Sequence, residues 1–234
     1  MTNSTSDTLL QTVQSIDQEI LTAINFDGSN TYDTFWMLYT NRYTWIPLAV
    51  VSAYYLLHRI GWRHALILGT SVIIMFLLSD YFVSAAIKPF VARLRPSHQS
   101  GIMDALFYVH GYRGGMYGFP SNHASNGFAI ATFFALLFRK PGIIICIFLW
   151  AMASCYSRIY LGLHYPTDIL AGAILGVLFS TLLYFFYSRL YQREAENRPM
   201  PPFKTVYQEK EPWPIILAVG ATVLSVLVYS LLAA

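Results

Sequence analysis

The sequence predicts an all-α integral membrane bundle of about six transmembrane helices, preceded by an amphipathic helix at the membrane interface. Three observations lead there. Of 234 residues, 56% are hydrophobic and 12% are charged, against about 45–50% and about 25% in a typical soluble domain. The apolar residues fall in long runs with few charges, as spans of about 20 residues require. Aromatic residues make up 16% of the chain, and Tyr and Trp favour the headgroup level of a bilayer. The expected organisation is an N-terminal amphipathic interfacial segment over residues 1–36, core helices with site loops over 37–190, and a polar linker with a C-terminal transmembrane helix over 191–234.

The elements follow in order. Across residues 7–25, Leu9, Val13, Ile16, Ile20 and Ile24 recur at helical spacing, with polar residues between them. Asp17 and Glu19 forbid a span, so this helix lies on the membrane surface or packs its greasy face on the bundle. Asp27-Gly28 ends it. Trp45–Leu57 is the apolar heart of the first span, with Arg42 placed to snorkel and Pro47 in the opening turn. Ala65–Ile87 is the second, interrupted by one charge, Asp80. A loop over 89–120 carries Gly111, Gly114, Gly115 and Gly118; without a Gly-Lys-Ser/Thr ending it is no phosphate-binding P-loop and reads instead as a mobile lid. Asn122–Phe138, Gly142–Tyr156, Pro166–Leu190 and Ile215–Leu232 are the remaining spans. A polar linker over 191–212 precedes the last one.

Charge placement orients the bundle. Arg59 and Arg63 follow span one, Arg139 and Lys140 follow span three, and Arg189, Arg193, Arg198, Lys204 and Lys210 follow span five. All fall on one side, which the positive-inside rule makes cytoplasmic. The first 41 residues hold no Lys or Arg, so the N-terminus belongs on the opposite, periplasmic side of a bacterial inner membrane. No cleaved signal peptide is expected, because no basic stretch precedes an apolar core. Cys146 and Cys155 lie in an apolar run and imply no disulfide framework. The net charge of +3 gives no reason to expect nucleic acid as a partner.

Three stretches on the periplasmic side carry the chemistry. In the first, Lys88 ends the second span because Pro89 disfavours helix before it, and Arg95 follows within loop reach. A guanidinium contacts phosphate oxygens in a bidentate way, and an ammonium adds a point charge. Taken alone, the pair also fits cations marking the membrane boundary. In the second, Pro120-Ser121-Asn122-His123 opens the third span. Ser121 suits the N-cap, free backbone N–H groups there bind anions, and His123 sits in the first turn. A capped helix with an interfacial histidine is the plainer reading. In the third, Ser157-Arg158 closes the fourth span, while His164 and Asp168 straddle the start of the fifth, with Pro166 at its first position. A carboxylate four residues from an imidazole can take one ring N–H and leave the other nitrogen basic. A structural His–Asp hydrogen bond fits as well. Asp80, Ser84 and Lys88 recur every four residues on one face of the second span. Asp80 is therefore expected to point into the bundle and support the cations from behind. Arg93, Arg113 and Tyr117 are expected around the site, near the lipid headgroup. His58 and His64 flank a cytoplasmic turn; His98 and His110 read as solvated loop residues.

Together the stretches read K-x6-RP, PSNH and SR-x5-H-x3-D. This set resembles the signature of the type 2 phosphatidic acid phosphatase superfamily, with Asn122 in place of the glycine of PSGH. The resemblance covers about residues 80–180. It implies a catalytic set of His164, His123 and Asp168. His164 would be the nucleophile that forms a phosphohistidine, Asp168 would orient it, and His123 would protonate the leaving oxygen and then activate water. It implies phosphate binding by Lys88, Arg95, Ser121, Asn122 and Arg158, with no metal and no cofactor. The side chain of Asn122 would narrow the pocket.

The expected function is metal-independent hydrolysis of a lipid phosphate or diphosphate at the periplasmic face. Two spans and a surface helix ahead of the first motif resemble bacterial undecaprenyl-diphosphate phosphatases in layout, which puts a polyprenyl diphosphate first among substrates. Lipid A phosphate, phosphatidylglycerophosphate and phosphatidic acid are the alternatives. The expected partners are the lipid substrate and membrane lipids. Vanadate-dependent haloperoxidases share the constellation but are soluble. A transporter, or a non-catalytic lipid-binding protein, is the rival outside enzymes, since buried charges also mark translocation paths.

Overall fold

The computed structural model describes residues 3–197 and 202–233; Arg198 of the polar linker lies outside them. Among these residues all regular structure is helical, apart from one isolated bridge between Leu94 and Tyr117. Helix α1 spans Asn3–Ile24 and α2 spans Asn30–Thr40. Helix α3, Ile46–Tyr81, runs on through a π-helical turn (Phe82–Ile87) into the short α4, Lys88–Val91. Helices α5 (Asn122–Phe138), α6 (Pro141–Tyr160) and α7 (Pro166–Asn197) form the centre, and α8 (Phe203–Gln208) leads into α9 (Trp213–Leu232). Among the described residues, four helical segments are long and apolar enough to cross a membrane: Arg42–Val91, Pro141–Tyr160, Pro166–Asn197 and Phe203–Leu232.

The first of these segments is a hairpin. At Gly61 the backbone leaves helical geometry (φ 73°, ψ 163°), a conformation open to glycine at little cost. Beside this break, Arg59 donates to the Val206 carbonyl (2.7 Å) and His64 meets Glu194 of α7 (3.2 Å). Thr40, just before the hairpin, bonds Arg158, and Asp80, near its far end, bonds Asn122. The chain therefore descends from the end of the bundle that holds Arg158 and Asn122 and climbs back to it. His64, expected at the rim of a loop, is buried and rests on the Tyr191 ring.

Helix α5 has the bounds that the sequence implies. Ser121 caps its start by accepting from the Ala124 N–H, and Arg139 closes its end in the left-handed conformation (φ 50°). At 17 residues it is shorter than the spans around it. It survives by packing on α7, where Gly172 and Gly176 form a small-xxx-small stripe. A β-carbon at Gly172 would run into the Ser121 carbonyl, and one at Gly176 into the Ser125 carbonyl. Helix α7 runs seven residues beyond its expected end at Leu190, because Tyr187 and Tyr191 are buried against Phe203 and Tyr207 of α8. Glu211 at the head of α9 accepts from the free N–H groups of Gly142 (3.0 Å) and Ile143 (3.3 Å), capping α6.

Helix α2 was not anticipated, and it straddles the boundary expected between residues 36 and 37. Ser29 caps it, and Tyr32, Trp36 and Tyr39 on it meet Tyr156, Tyr160 and Trp150 of α6. Helix α1 docks through Leu21, Asp17 and Asn25, while Leu9, Leu10, Val13, Ile16 and Ile20 stay exposed in a stripe.

The α5–α7 contact yields a direct test. Gly176→Val should destabilise the protein by about 1–3 kcal/mol through overpacking, lowering the melting temperature in detergent. Gly220→Ala, where an added methyl meets nothing within 4 Å, should not lower it.

Candidate active site

The end of the bundle opposite the Gly61 turn gathers the polar residues. The α3–α4 segment delivers Lys88, the loop after it Arg93 and Arg95, and the first turn of α5 delivers Ser121, Asn122 and His123. The last turn of α6 delivers Arg158, the connection to α7 His164, and the first turn of α7 Asp168. Arg95, Arg158, Lys88 and His123 all lie within electrostatic reach of the His164 ring.

Lys88 does not end its helix. It is helical (φ −59°, ψ −47°), and the chain turns only at Ala92 (φ 49°). The π-helical turn ahead of Pro89 widens the helix. That wider register relieves the clash a proline ring makes with the carbonyl four residues back.

His164 is 1% exposed and Asp168 fully buried. Nη1 of Arg95 donates to His164 Nε2 (2.8 Å) and to the Leu163 carbonyl (2.9 Å). Arginine can only donate, so Nε2 carries the lone pair and the ring proton sits on Nδ1. Nδ1 faces Asp168 Oδ2 at 3.4 Å, a long contact. Asp168 is held more firmly elsewhere. Its Oδ2 accepts from the Tyr165 N–H (3.1 Å), its Oδ1 from Arg93 (2.9 Å), and its carbonyl from the Ser121 N–H (2.9 Å). Burial, then the positive charges of Arg95, Arg158 and Lys88, push the His164 pKa well below its ordinary 6.5. The ring is thus neutral across the physiological range, with the Nε2 electron pair accepting from Arg95.

Arg93 sits otherwise than expected. It bridges Asp168 to Asp17 of α1 (2.6 Å) and stacks on Tyr165 (4.4 Å to the ring centroid). Asp17, buried to 1% exposure, also accepts from the Thr167 N–H (3.0 Å) and the Thr167 hydroxyl. Two carboxylates and one guanidinium thereby neutralise much of each other's burial cost. The sequence signal for this was an acidic residue breaking the amphipathic pattern of α1.

Thr40 was also missed. Its hydroxyl accepts from Arg158 Nη1 (2.9 Å), and its carbonyl is within hydrogen-bonding reach of His123. Tyr112 in the glycine-bearing loop lies within electrostatic reach of Arg158 as well. That loop is pinned at its far end: Arg95 N–H donates to Met116 and Gly118 N–H to Arg93 (both 2.9 Å). At Gly118 a β-carbon would come within 2.8 Å of Asp168 Oδ2, so only glycine lets the loop lie this close. Arg113 stacks on Tyr108 instead of facing the site, and Tyr117 contributes its backbone to the bridge with Leu94.

Two features bear on anion binding. The Nε donors of Arg95 and Arg158 are buried with no partner among the described residues, a cost of about 1–3 kcal/mol each that an oxyanion would remove. Ser121 is fully buried and spends its oxygen on the cap, yet keeps its hydroxyl hydrogen to give. Asn122 does not narrow the pocket with its side chain. Its Nδ2 turns away to Asp80 Oδ1 and Ser84 Oγ (both 3.0 Å). Asp80, expected to point into the bundle, is exposed; it bonds Asn122 and Asn126 and lies within electrostatic reach of Lys88. Elsewhere, a crevice of about 460 Å³ between α3 and α9 has no charged lining residue and nothing to hold a phosphate.

Comparison with known proteins gives the family. The family model described as the PAP2 superfamily matches residues 61–192. Over 82% of the chain and 86% of the relative, the sequence is 37% identical to a lipid A 4'-phosphatase of Bacteroides thetaiotaomicron. It is 31% identical to the lipid A 4'-phosphatase of Porphyromonas gingivalis, over 79% of the chain and 77% of the relative. Among solved structures, a transmembrane PAP2-type phosphatidylglycerolphosphate phosphatase from Bacillus subtilis superimposes with a TM-score of 0.56 at 22% identity, covering 76% of this chain and 87% of that one.

Two predictions follow from the network. Asp17→Asn and Arg93→Gln should each lower kcat, and the double variant should lose little more than the worse single one. A double-mutant cycle on kcat should give a coupling of about 0.5–3 kcal/mol. The unfolded chain takes up a proton on His164 near pH 6.5 while the folded chain resists it, so the unfolded state binds more protons below that pH. Stability carried by this residue should therefore fall as the pH drops below about 6.5, by up to about 1.4 kcal/mol per pH unit. The melting temperature of wild type and His164→Gln, followed from pH 8 to 5, should diverge in that direction.

Proposed function

Because the chain belongs to the PAP2 superfamily and is a membrane lipid phosphatase, we propose that it removes a phosphate monoester from lipid A through a phosphohistidine on His164. Lipid A is an acylated, phosphorylated glucosamine disaccharide; its tails would stay in the bilayer while the phosphate enters between α5, α6 and α7. Two relatives similar over most of both chains support lipid A ahead of the polyprenyl diphosphate suggested by the layout of the spans.

The observation that carries the mechanism is the pairing of a neutral His164 Nε2 with two unsatisfied buried guanidinium donors. Phosphate binding would draw Arg95 from Nε2 onto the phosphate oxygens and free the lone pair for attack on phosphorus. Phosphoryl transfer is mainly positioning and charge stabilisation; Lys88, Arg95 and Arg158, with the Ser121 hydroxyl and the Asn122 N–H, would supply both. His123 would give its proton to the leaving sugar oxygen, then take one from the water that splits the phosphohistidine. Asp168 would balance the imidazolium that forms at His164.

The site is proposed to face the periplasm of the inner membrane. Arg59, Arg63, Arg139, Lys140, Arg189 and Arg193 belong to the opposite end of the bundle, where Arg59 meets Val206 and Arg139 meets Tyr184.

Wild-type protein in detergent should release phosphate from lipid A in the presence of EDTA, and an acid quench should trap labelled phosphate on His164. His164→Gln should lose both. Arg158→Ala should lose about 10²–10³ in kcat, as removal of one oxyanion donor does. Activity abolished by EDTA, or label on another residue, would overturn the mechanism.

A further inference from the structure

Asp80, Ser84, Asn122 and Asn126 form a polar cluster that the steps above leave unused. Asp80 and Ser84 are exposed on a helix whose neighbouring exposed residues, Ile73, Ile74, Leu77 and Tyr81, are apolar and fit acyl chains. A carboxylate on such a face is costly unless it has a role. Asp80 Oδ1 accepts from both Asn122 and Asn126 (3.0 Å each), and Ser84 Oγ accepts from Asn122 (3.0 Å). No described residue bonds Asp80 Oδ2. The Oδ1 atoms of Asn122 and Asn126 are buried and unpaired. The cluster therefore presents one acceptor, Asp80 Oδ2, and one hydroxyl hydrogen, that of Ser84, at the surface, with two unpaired amide acceptors buried behind them.

Its position gives the cluster a neighbour. Asn122 directly precedes His123, and Asp80 is within electrostatic reach of Lys88. If His123 protonates the leaving oxygen, the rest of the leaving group lies on the same side. We propose that this cluster is the leaving-group subsite and that it takes the neutral hydroxyl and amide groups of a sugar. The inference rests on the lipid A reading and deepens it. Idle acceptors match O–H and N–H donors, which a glucosamine ring supplies and a simple alkyl chain does not. An exposed carboxylate repels a second phosphate, so the same cluster disfavours a diphosphate, whose leaving group is itself an anion. The departure from PSGH gains a meaning here: Asn122 serves the phosphate with its backbone and joins the sugar side through its amide.

The test compares wild type with Asp80→Asn, Asn126→Ala and Ser84→Ala, the last an exposed position with one bond. Each is assayed on lipid A, on a polyprenyl diphosphate and for inhibition by orthovanadate, which probes the phosphate pocket alone. The expected result is a loss in kcat/KM on lipid A of about 10- to 100-fold for Asp80→Asn, the amount one or two hydrogen bonds to a charged group represent. Most of it should appear in KM, with vanadate inhibition unchanged, and the ratio of diphosphate to lipid A cleavage should rise. A parallel loss in lipid A cleavage and vanadate binding would reduce the cluster to a clasp between α3 and α5 and overturn the proposal. So would unchanged lipid A kinetics in all three variants. Wild type that cleaves the diphosphate but not lipid A would overturn the substrate reading itself, and the subsite with it.

Discussion

The structure depends on burying Asp168. A carboxylate at full burial is costly unless its lone pairs find partners, and the partners come from two separate segments. Arg93 arrives from the loop after α4, the Tyr165 N–H from the connection to α7, and the His164 ring from the same connection. The Asp168 carbonyl then accepts from Ser121, so the start of α7 is fastened to the start of α5. The two helix N-termini, each with free N–H groups and a positive dipole end, are thereby set side by side. Arg93 has N–H donors left over beyond Asp168, and Asp17 brings α1 in to accept from one of them.

That chain of neutralisation explains why an amphipathic surface helix belongs to the site. Helix α1 leaves Leu9, Val13, Ile16 and Ile20 exposed and places Asp17 on the buried side. A helix with this division suits a bilayer surface on one face and an ionic contact on the other. The same logic makes the glycine-bearing loop a fixed wall and not a free lid at its far end. Its backbone bonds Arg93 and Arg95 on either side of Leu94, and Gly118 lies against Asp168.

How much of this was legible in the sequence depended on the range of the interactions. Helix α5 was read to its ends because its cap is local: Ser121 accepts from a residue three positions on. Spans four and five were under-read. The Ser157-Arg158 edge reads as a boundary in the sequence, yet Arg158 stays in the last turn of α6, where the Thr40 hydroxyl accepts from it. The tail of α7 is held by tyrosines that pack on α8. Lys88 stays helical (φ −59°, ψ −47°) despite the proline after it, and the π-helical turn ahead of Pro89, which eases the clash of the ring with the preceding turn, has no local signal in the sequence. The small-residue stripe on α7 could have been found by its spacing. The pairing of Asp17 with Arg93, 76 positions apart, had no local signal beyond a charge in the wrong place. The site motifs were readable as a set because each sits at a helix end, where sequence shows capping and breaking residues plainly; their mutual distances were not.

Electrostatics then sets what the pocket can hold. Lys88, Arg95 and Arg158 crowd one neutral imidazole, and two guanidinium nitrogens there are buried without partners. Cations this close repel one another, so the arrangement is strained until an anion with several oxygens enters. In the proposed reaction, binding that anion would relieve the repulsion, satisfy the idle donors and release His164 Nε2 from Arg95 together. Substrate binding and release of the nucleophile would then be one electrostatic step, with Arg95 as the residue shared by both.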